Sequence, residues 1–414
     1  MNILFNAFLH ILMPFAFIRL LYKSRNNPEY RHHIAERFAF KLPPALPNTI
    51  LVHAVSVGEF IAIRPLLDNL LAAYPKLNLW ITCTTPTGRA QIKQFQQNNP
   101  QRVIYSYLPY DTKRNIQRIL LHIRPCLIIL METEIWPNLI YLAKKQHIPV
   151  LLCNARLSAR SLRGYYRYAR AILREPLKHL FVDAQTRFDA RRFHKLGVPA
   201  DHINIIPNLK YQAPIKENTR KINFPRQSLT WIAASTHTGE DETIIAAHCL
   251  LQKTHTDACL IIAPRHPERR DTITKIITKF GYRPRLCSQQ ESISEAKDIL
   301  ILDTLGELKD YYHIIDIAFI GGSLIPHGGH NPLEALHADK PVIFGRSMYN
   351  FQSIRDDLIR QPFVRELTDN SPQTLATAVI ALYNHPETDK IHTYMSPYQN
   401  IIKQHLQHIE RLLK

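Results

Sequence analysis

Short apolar runs alternate with longer segments of helical spacing along most of this chain. ILVHAV (50–55), LWITCT (79–84), RVIYSYL (102–108), CLIILM (126–131), PVLLCN (149–154) and HLFVDA (179–184) are brief and β-rich. Each is followed by a stretch whose apolar residues recur with helical period. Near-continuous apolar strands separated by helices predict a parallel sheet covered on both faces. The alternation lapses after Pro207 and restarts with LTWIAAS (229–235), ACLIIAP (258–264), DILIL (298–302), DIAFIGG (316–322) and PVIFG (341–345). A helical run, IIKQHLQHIERLL, closes the chain at 401–413. The expected fold is α/β, with two Rossmann-like domains facing a cleft and ligands beyond the carboxyl ends of the strands. The expected divisions are a membrane anchor at 1–22, a first domain at 23–206, a linker at 207–228, a second domain at 229–390 and a C-terminal helix at 391–414.

The N-terminus departs from this pattern. Residues 3–21 are mostly apolar, interrupted by Asn6, His10, Pro14 and Arg19, and Lys23, Arg25, Arg31 and Arg37 follow. About 19 residues just cover a ~30 Å hydrocarbon core. With no basic residue before the run and no small-residue cleavage site after it, an uncleaved anchor is expected, its basic flank on the cytoplasmic side. A helix lying in the interface and a buried core helix are the open alternatives.

Lys and Arg total 52 against 34 Asp and Glu in 414 residues, a formal charge of +18. Such an excess favours an anionic partner: nucleic acid, anionic lipid or a phosphorylated substrate. The six cysteines form no C-x-x-C pair, and several lie in or beside apolar runs. They read as buried thiols in a reducing compartment, with no metal site and no disulfide framework.

Candidate chemistry lies where strands end. In HAVSVGEF (53–60), Ser56 and Glu59 have capping-box spacing, yet a carboxylate just past the first strand also points where a substrate hydroxyl can be deprotonated. In ILMETEIWPN (129–138), Glu132 and Glu134 follow a buried strand beside Trp136. Lys210, in PNLKYQ (207–212), is either a solvated linker lysine or a compact positive charge for a phosphate or carboxylate. In the second half, AASTHTGEDE (233–242), APRHPER (263–269), DTLGEL (303–308) and GGSLIPHGGHNPLEA (321–335) each follow a strand. Helix N-termini there offer free N–H groups to anions, and Arg265 offers a guanidinium. Asn331, Pro332 and Glu334 are equally an ordinary helix start. There is no P-loop, no dinucleotide G-x-G-x-x-G after the first strand, no H-E-x-x-H and no evident D-x-D pair.

Together HAVSVGEF, TTPTGRAQ, METEIWPNL, NARLSARSLRGYYR, STHTGEDE, PRHPER, DTLGELKDYY and IGGSLIPHGGHNPLEA resemble the 3-deoxy-D-manno-octulosonic acid (Kdo) transferases of lipopolysaccharide synthesis. The resemblance spans almost the whole chain, including YRHHIAERF behind the apolar N-terminus. It implies a GT-B-type glycosyltransferase at the inner membrane, without metal or other cofactor, moving Kdo from CMP-Kdo to a lipid A precursor, lipid IVA. Glu59 then matches the general base, and Glu132 and Lys210 match transition-state stabilising positions. Pro264 and Arg265, then Leu305, Gly306 and Glu307, then Asn331, Pro332, Leu333 and Glu334 match segments that contact CMP. The chain departs from the family at Pro207, where a small residue is common, and at Tyr211-Gln212, where Phe-Asp is common. The resemblance further implies an anionic membrane surface as partner and no nucleic acid. A UDP-sugar transferase or epimerase of similar fold is the alternative enzyme, and a basic nucleic-acid or lipid-binding protein the alternative outside enzymes.

Overall fold

The computed structural model describes residues 3–25, 27–212, 229–290, 292–304 and 306–414. Two compact units emerge: Met1–Gln212 with Asn400–Lys414, and Ala213–Gln399. Of the expected linker, 207–212 belongs to the first unit, and 213–228 lie outside the described residues.

The first unit holds β1 (Thr49–His53), β2 (Asn78–Cys83), β3 (Val103–Tyr107), β4 (Leu127–Met131), β5 (Val150–Ala155), β6 (Leu180–Ala184) and β7 (Ile203–Ile205). They form one parallel sheet in the order β3-β2-β1-β4-β5-β6-β7. The apolar runs are continuous because helices cover the sheet: every residue of β1, β4 and β5 is buried. Helix Val57–Ala73 shows the local logic. Ser56 caps it from an extended conformation, and Phe60, Ile63, Leu66, Leu67, Leu70 and Leu71 make one buried stripe. It stops before Pro75, as the residue preceding a proline avoids helical angles. Truncating one of these aliphatic side chains to Ala would cost about 2–5 kcal/mol.

The second unit holds β8 (Thr230–Thr236), β9 (Cys259–Pro264), β10 (Arg283–Leu286), β11 (Asp298–Ile301), β12 (Ile317–Ile320), β13 (Val342–Phe344) and β14 (Val364–Glu366). The parallel order is β10-β11-β9-β8-β12-β13-β14. Each sheet therefore reverses its direction of growth once, between β1 and β4 and between β8 and β12. Such reversals leave a crevice at the carboxyl edge, where ligands of this architecture bind.

Two expectations need correction. Residues 391–414 are not one separate helix: helix Thr388–Met395 ends in the second unit, and helix Ile401–Leu413 belongs to the first, where it packs on helix Val57–Ala73. Buried Asp183 of β6 explains that docking. It accepts from His405 at 2.8 Å and from His408 at 2.7 Å, two residues one turn apart on the terminal helix. The second correction concerns the spanning anchor at 1–22. Helix Ile3–Lys23 forms, but among the described residues no helix is long and apolar enough to cross a membrane. Asn6, His10, Arg19 and Lys23 dilute the apolar run.

Candidate active site

At the reversal point of the first sheet, the ends of β1 and β4 carry three carboxylates. Glu59 is the third residue of its helix, and its backbone N–H donates to Ser56 Oγ at 3.4 Å. The capping reading is thus realised. The Glu59 side chain reaches back, accepting from Val55 N–H at 2.8 Å and from Ser56 Oγ–H at 3.4 Å. It does more than cap. Burial pushes its pKa up to about 7 against the Val55 hydrogen bond, and the neighbouring charges of Glu132 and Glu134 push the same way. A carboxyl that titrates near neutrality is poised to take and give a proton.

Glu132 and Glu134 differ in what holds them. Glu132 sits in the left-handed region, φ 51°, uncommon for a non-glycine residue. Its backbone is fixed on both sides by β5 and its sequel: its N–H donates to Cys153 O at 3.0 Å, and its C=O accepts from Arg156 N–H at 3.2 Å. The Arg156 guanidinium pairs with its carboxylate at 3.0 Å. Glu134 accepts from the Trp136 indole N–H at 2.9 Å, and burial raises its pKa. Trp136 in turn lies edge-on to buried His53, whose imidazole is kept neutral by desolvation, its pKa lowered to about 3.

Lys210 occupies a short 3-10 turn, Leu209–Tyr211, capped by Asn208 and packed against helix Val57–Ala73. This is a pinned turn, not a loose linker. Asn154, buried at the end of β5 with φ 52°, accepts from Leu209 N–H at 3.0 Å. Gln185 ties the same two places together, donating to Asn154 O at 2.8 Å and accepting from Asn208 Nδ2 at 3.2 Å. The Lys210 side chain is exposed. Neither Asn154 nor Arg156 stood out in the sequence, although both lie in the NARLS block.

In the second unit, the described residues among those expected to hold the donor stand at or after the carboxyl ends of β9, β11 and β12. Pro264 ends β9, and exposed Arg265 donates its backbone N–H to Thr236 O at 3.1 Å. Gly306 takes φ 87°, and Glu307 accepts from Thr304 Oγ1 at 2.6 Å. Leu305 lies outside the described residues. Asn331 Oδ1 accepts from Leu333 N–H at 3.2 Å, so the helix-start reading is also realised. Leu333 is buried. The Glu334 carboxyl is raised by burial, with Lys309, Asn331 and Arg265 acting against the rise. Arg265 and Glu334 therefore share one neighbourhood, although 69 residues apart by number. Glu240, not anticipated from sequence, ties β8 to β12. Its carboxylate accepts four backbone N–H groups, from His237 (2.9 Å), Gly322 (2.7 Å), Ser323 (3.0 Å) and Leu324 (3.0 Å).

A family model described as 3-deoxy-D-manno-octulosonic-acid transferase (kdotransferase) matches residues 32–213. The chain is 38% identical over 383 residues to a 3-deoxy-D-manno-octulosonic acid transferase of Haemophilus influenzae, covering 90% of this chain and 88% of that protein. It is 34% identical over 359 residues to the Bordetella pertussis protein of the same description, covering 82% of each. A UDP-GlcNAc 2-epimerase from Neisseria meningitidis, solved bound to UDP-GlcNAc, aligns with TM-score 0.54 and 16% identity. That alignment covers 88% of this chain and 100% of the epimerase, a likeness of fold alone.

Proposed function

We propose, since the chain belongs to the 3-deoxy-D-manno-octulosonic acid (Kdo) transferases and is a glycosyltransferase, that it takes Kdo from CMP-Kdo, places it on a lipid A precursor such as lipid IVA, and inverts the anomeric configuration. The observation that carries the mechanism is Glu59, a strand-end carboxyl with its pKa raised to about 7 by burial and two neighbouring carboxylates. In the ionised form it removes the proton from the acceptor hydroxyl. The oxygen so released attacks the anomeric carbon of Kdo as the bond to the CMP phosphate breaks on the opposite face. The bonding electrons leave with CMP, and Arg265 answers the growing phosphate charge, while Lys210 takes the transition-state stabilising role that the family resemblance gives it. Glu132, held by Arg156, keeps negative charge beside the base and so favours proton uptake by Glu59. Pro264, Arg265, Leu305, Gly306, Glu307, Asn331, Pro332, Leu333 and Glu334 hold the donor in this reading.

The first unit also suits an anionic acceptor. Helix Ala159–Tyr168 buries no residue and displays Arg160, Arg163 and Arg167. Arg170 follows, stacked over the Tyr166 ring at 4.8 Å. A phosphorylated lipid among anionic headgroups complements that charge.

At the N-terminus, the exposed apolar residues Ile11, Phe15, Ile18 and Tyr22 recur at helical spacing, with Leu12 and Leu21 alongside. We read helix Ile3–Lys23 as lying in the membrane interface with this face in lipid and the catalytic units on the cytoplasmic side of the inner membrane. The function is tested by mass spectrometry of the product formed from CMP-Kdo and a tetra-acylated, bisphosphorylated lipid A precursor. A mass increase of one or more Kdo units with release of CMP supports it. Purified, folded protein that leaves this acceptor unchanged while it modifies another would overturn the acceptor assignment.

A further inference from the structure

The reversal point of the second sheet gathers histidines that the mechanism above does not use. β8 and β12 are adjacent and parallel, Ala234 opposite Ile320. The turn after β8 supplies His237, the loop after β12 supplies His327 and His330, and the turn after β9 supplies Arg265 and His266. His237 Nε2 and His330 Nε2 are 2.8 Å apart, so one imidazole donates and the other accepts. The His237 ring centre lies 3.8 Å from that of His327 and 5.8 Å from that of His266. Glycine makes the assembly possible. A Cβ on Gly321 would stand 2.5 Å from Ser235 O, and Gly322, at φ 69°, would bring one to 3.2 Å from the His330 ring.

The groups facing this cluster are imidazoles and two guanidinium groups. Around His237 stand His327, His330, His266, Arg269 and Arg265. Around His330 stand His237, Arg265, His327 and His266. Carboxylates also stand near: Glu268 lies 3.6 Å from His266 Nδ1, Glu334 is in the neighbourhood of Arg265, and two more are engaged with other groups. Glu240 accepts backbone N–H groups, and Asp241 holds Arg269 and Thr236 Oγ1. Burial, then the neighbouring imidazoles and guanidinium groups, lower His237 and His330 to about 4. An anion entering here would reverse that balance and draw protons onto the imidazoles.

We propose that His237, His327 and His330, with Arg265 and His266, form an oxyanion site of the second unit that binds an acidic group of the donor and takes up a proton as it does so. The inference rests on the donor reading above. The oxyanion is either the phosphate of CMP or the carboxylate of the sugar acid, and both present the same chemistry. The nitrogens of His237, His327 and His330 also lie within 4.8 Å of one another, a spacing open to a divalent cation. Arg265 and Arg269 beside them favour the anion.

The test is calorimetric titration of the full chain, treated with EDTA, at pH 7 in two buffers of different ionisation enthalpy. The probes are CMP-Kdo, CMP, free Kdo and inorganic phosphate. Wild type should take up roughly half to one proton with CMP-Kdo. Uptake with CMP or phosphate assigns the site to the phosphate, and uptake with free Kdo assigns it to the carboxylate. His330→Gln, and the exposed-residue variant His327→Gln, should lose that uptake and bind the same probe about 10–100-fold more weakly. Donor binding without proton uptake, unchanged by both substitutions in folded protein, overturns the site. Donor binding that EDTA abolishes and zinc restores overturns it in favour of a metal. Transfer measured on the same wild-type preparation separates the outcomes. Active enzyme without proton uptake sinks the subsite alone. Phosphate uptake in a protein that transfers no Kdo sinks the donor reading instead.

Discussion

Replacing Glu59 with Gln pulls activity and stability in opposite directions. In the unfolded chain this carboxyl ionises near 4.5, and in the folded protein near 7, because burial and the charges of Glu132 and Glu134 oppose ionisation. Ionisation of Glu59 therefore works against folding, and the cost grows as pH rises from about 4.5 through about 7. At 1.36 kcal/mol per pKa unit the shift corresponds to about 3 kcal/mol, and solvent reaching the exposed part of the side chain screens this to roughly 1–2 kcal/mol. Gln keeps the carbonyl that accepts from Val55 N–H and carries no charge to bury. Glu59→Gln should therefore melt no lower than wild type at pH 8, and up to a few degrees higher. Its turnover should fall by roughly 10²–10⁴-fold, because an amide cannot accept the proton. In wild type, kcat/KM should drop as pH falls through about 7, as the base becomes protonated, and this limb should vanish in the variant. The assays are CMP release with a lipid A precursor between pH 5 and 9 and thermal denaturation of the same preparations. Near-normal turnover in Glu59→Gln would refute the assignment, since a capping box accepts Gln equally well. So would a variant whose lost activity is matched by a lower melting temperature.

Arg265→Ala and Glu334→Ala should each weaken CMP binding about tenfold or more with folding retained, and unchanged affinity in both removes them from the donor site. Glu334 also begins a helix, so its melting temperature belongs in the same measurement. Asp183→Asn leaves buried His405 without its carboxylate and should cost about 3–5 kcal/mol in urea unfolding; a loss under 1 kcal/mol means the terminal helix is held by packing alone. Burial alone would lower His405, but Cys153 and Asp183 hold its pKa well above the ordinary imidazole range. The pair's contribution is thus complete below about 6.5 and fades as pH rises toward the folded value, so wild type should lose stability in alkali and Asp183→Asn should not. Removing residues 1–23 should release the protein from anionic vesicles in flotation while CMP binding persists, and a truncated protein that still floats shifts the lipid contact to another surface.

Part of the candidate site was legible because it is local. Glu132 stands directly after an apolar run and Glu59 in the first turn of the helix that follows one, and in a parallel sheet the carboxyl end of a strand is where a side chain meets ligand. Arg156 and Asn154 carry no such mark. Their roles arise because β5 lies beside β4, so that Arg156 reaches Glu132 and Asn154 catches Leu209 N–H. Lys210 read as a linker residue because its segment has no apolar run, yet that one amide and Gln185 hold the turn in place. The histidine cluster was invisible for the same reason. His237 and His330 are 93 positions apart, and only the order β9-β8-β12 makes them neighbours.

The sequence by itself determined the two alternating α/β stretches and the eleven strands whose runs are apolar, since strands covered on both faces must be apolar throughout. It did not reveal β7, β10 and β14, all at sheet edges. With a neighbour on one side only, strands such as RPRL and VRE are half exposed and need no apolar run. Nor did the chain order indicate that helix Ile401–Leu413 returns to the first unit. That was decided by Asp183, whose buried carboxylate is stable only where His405 and His408 meet it. Apolar periodicity is written residue by residue, whereas a buried charge finds its partner only after the chain has folded.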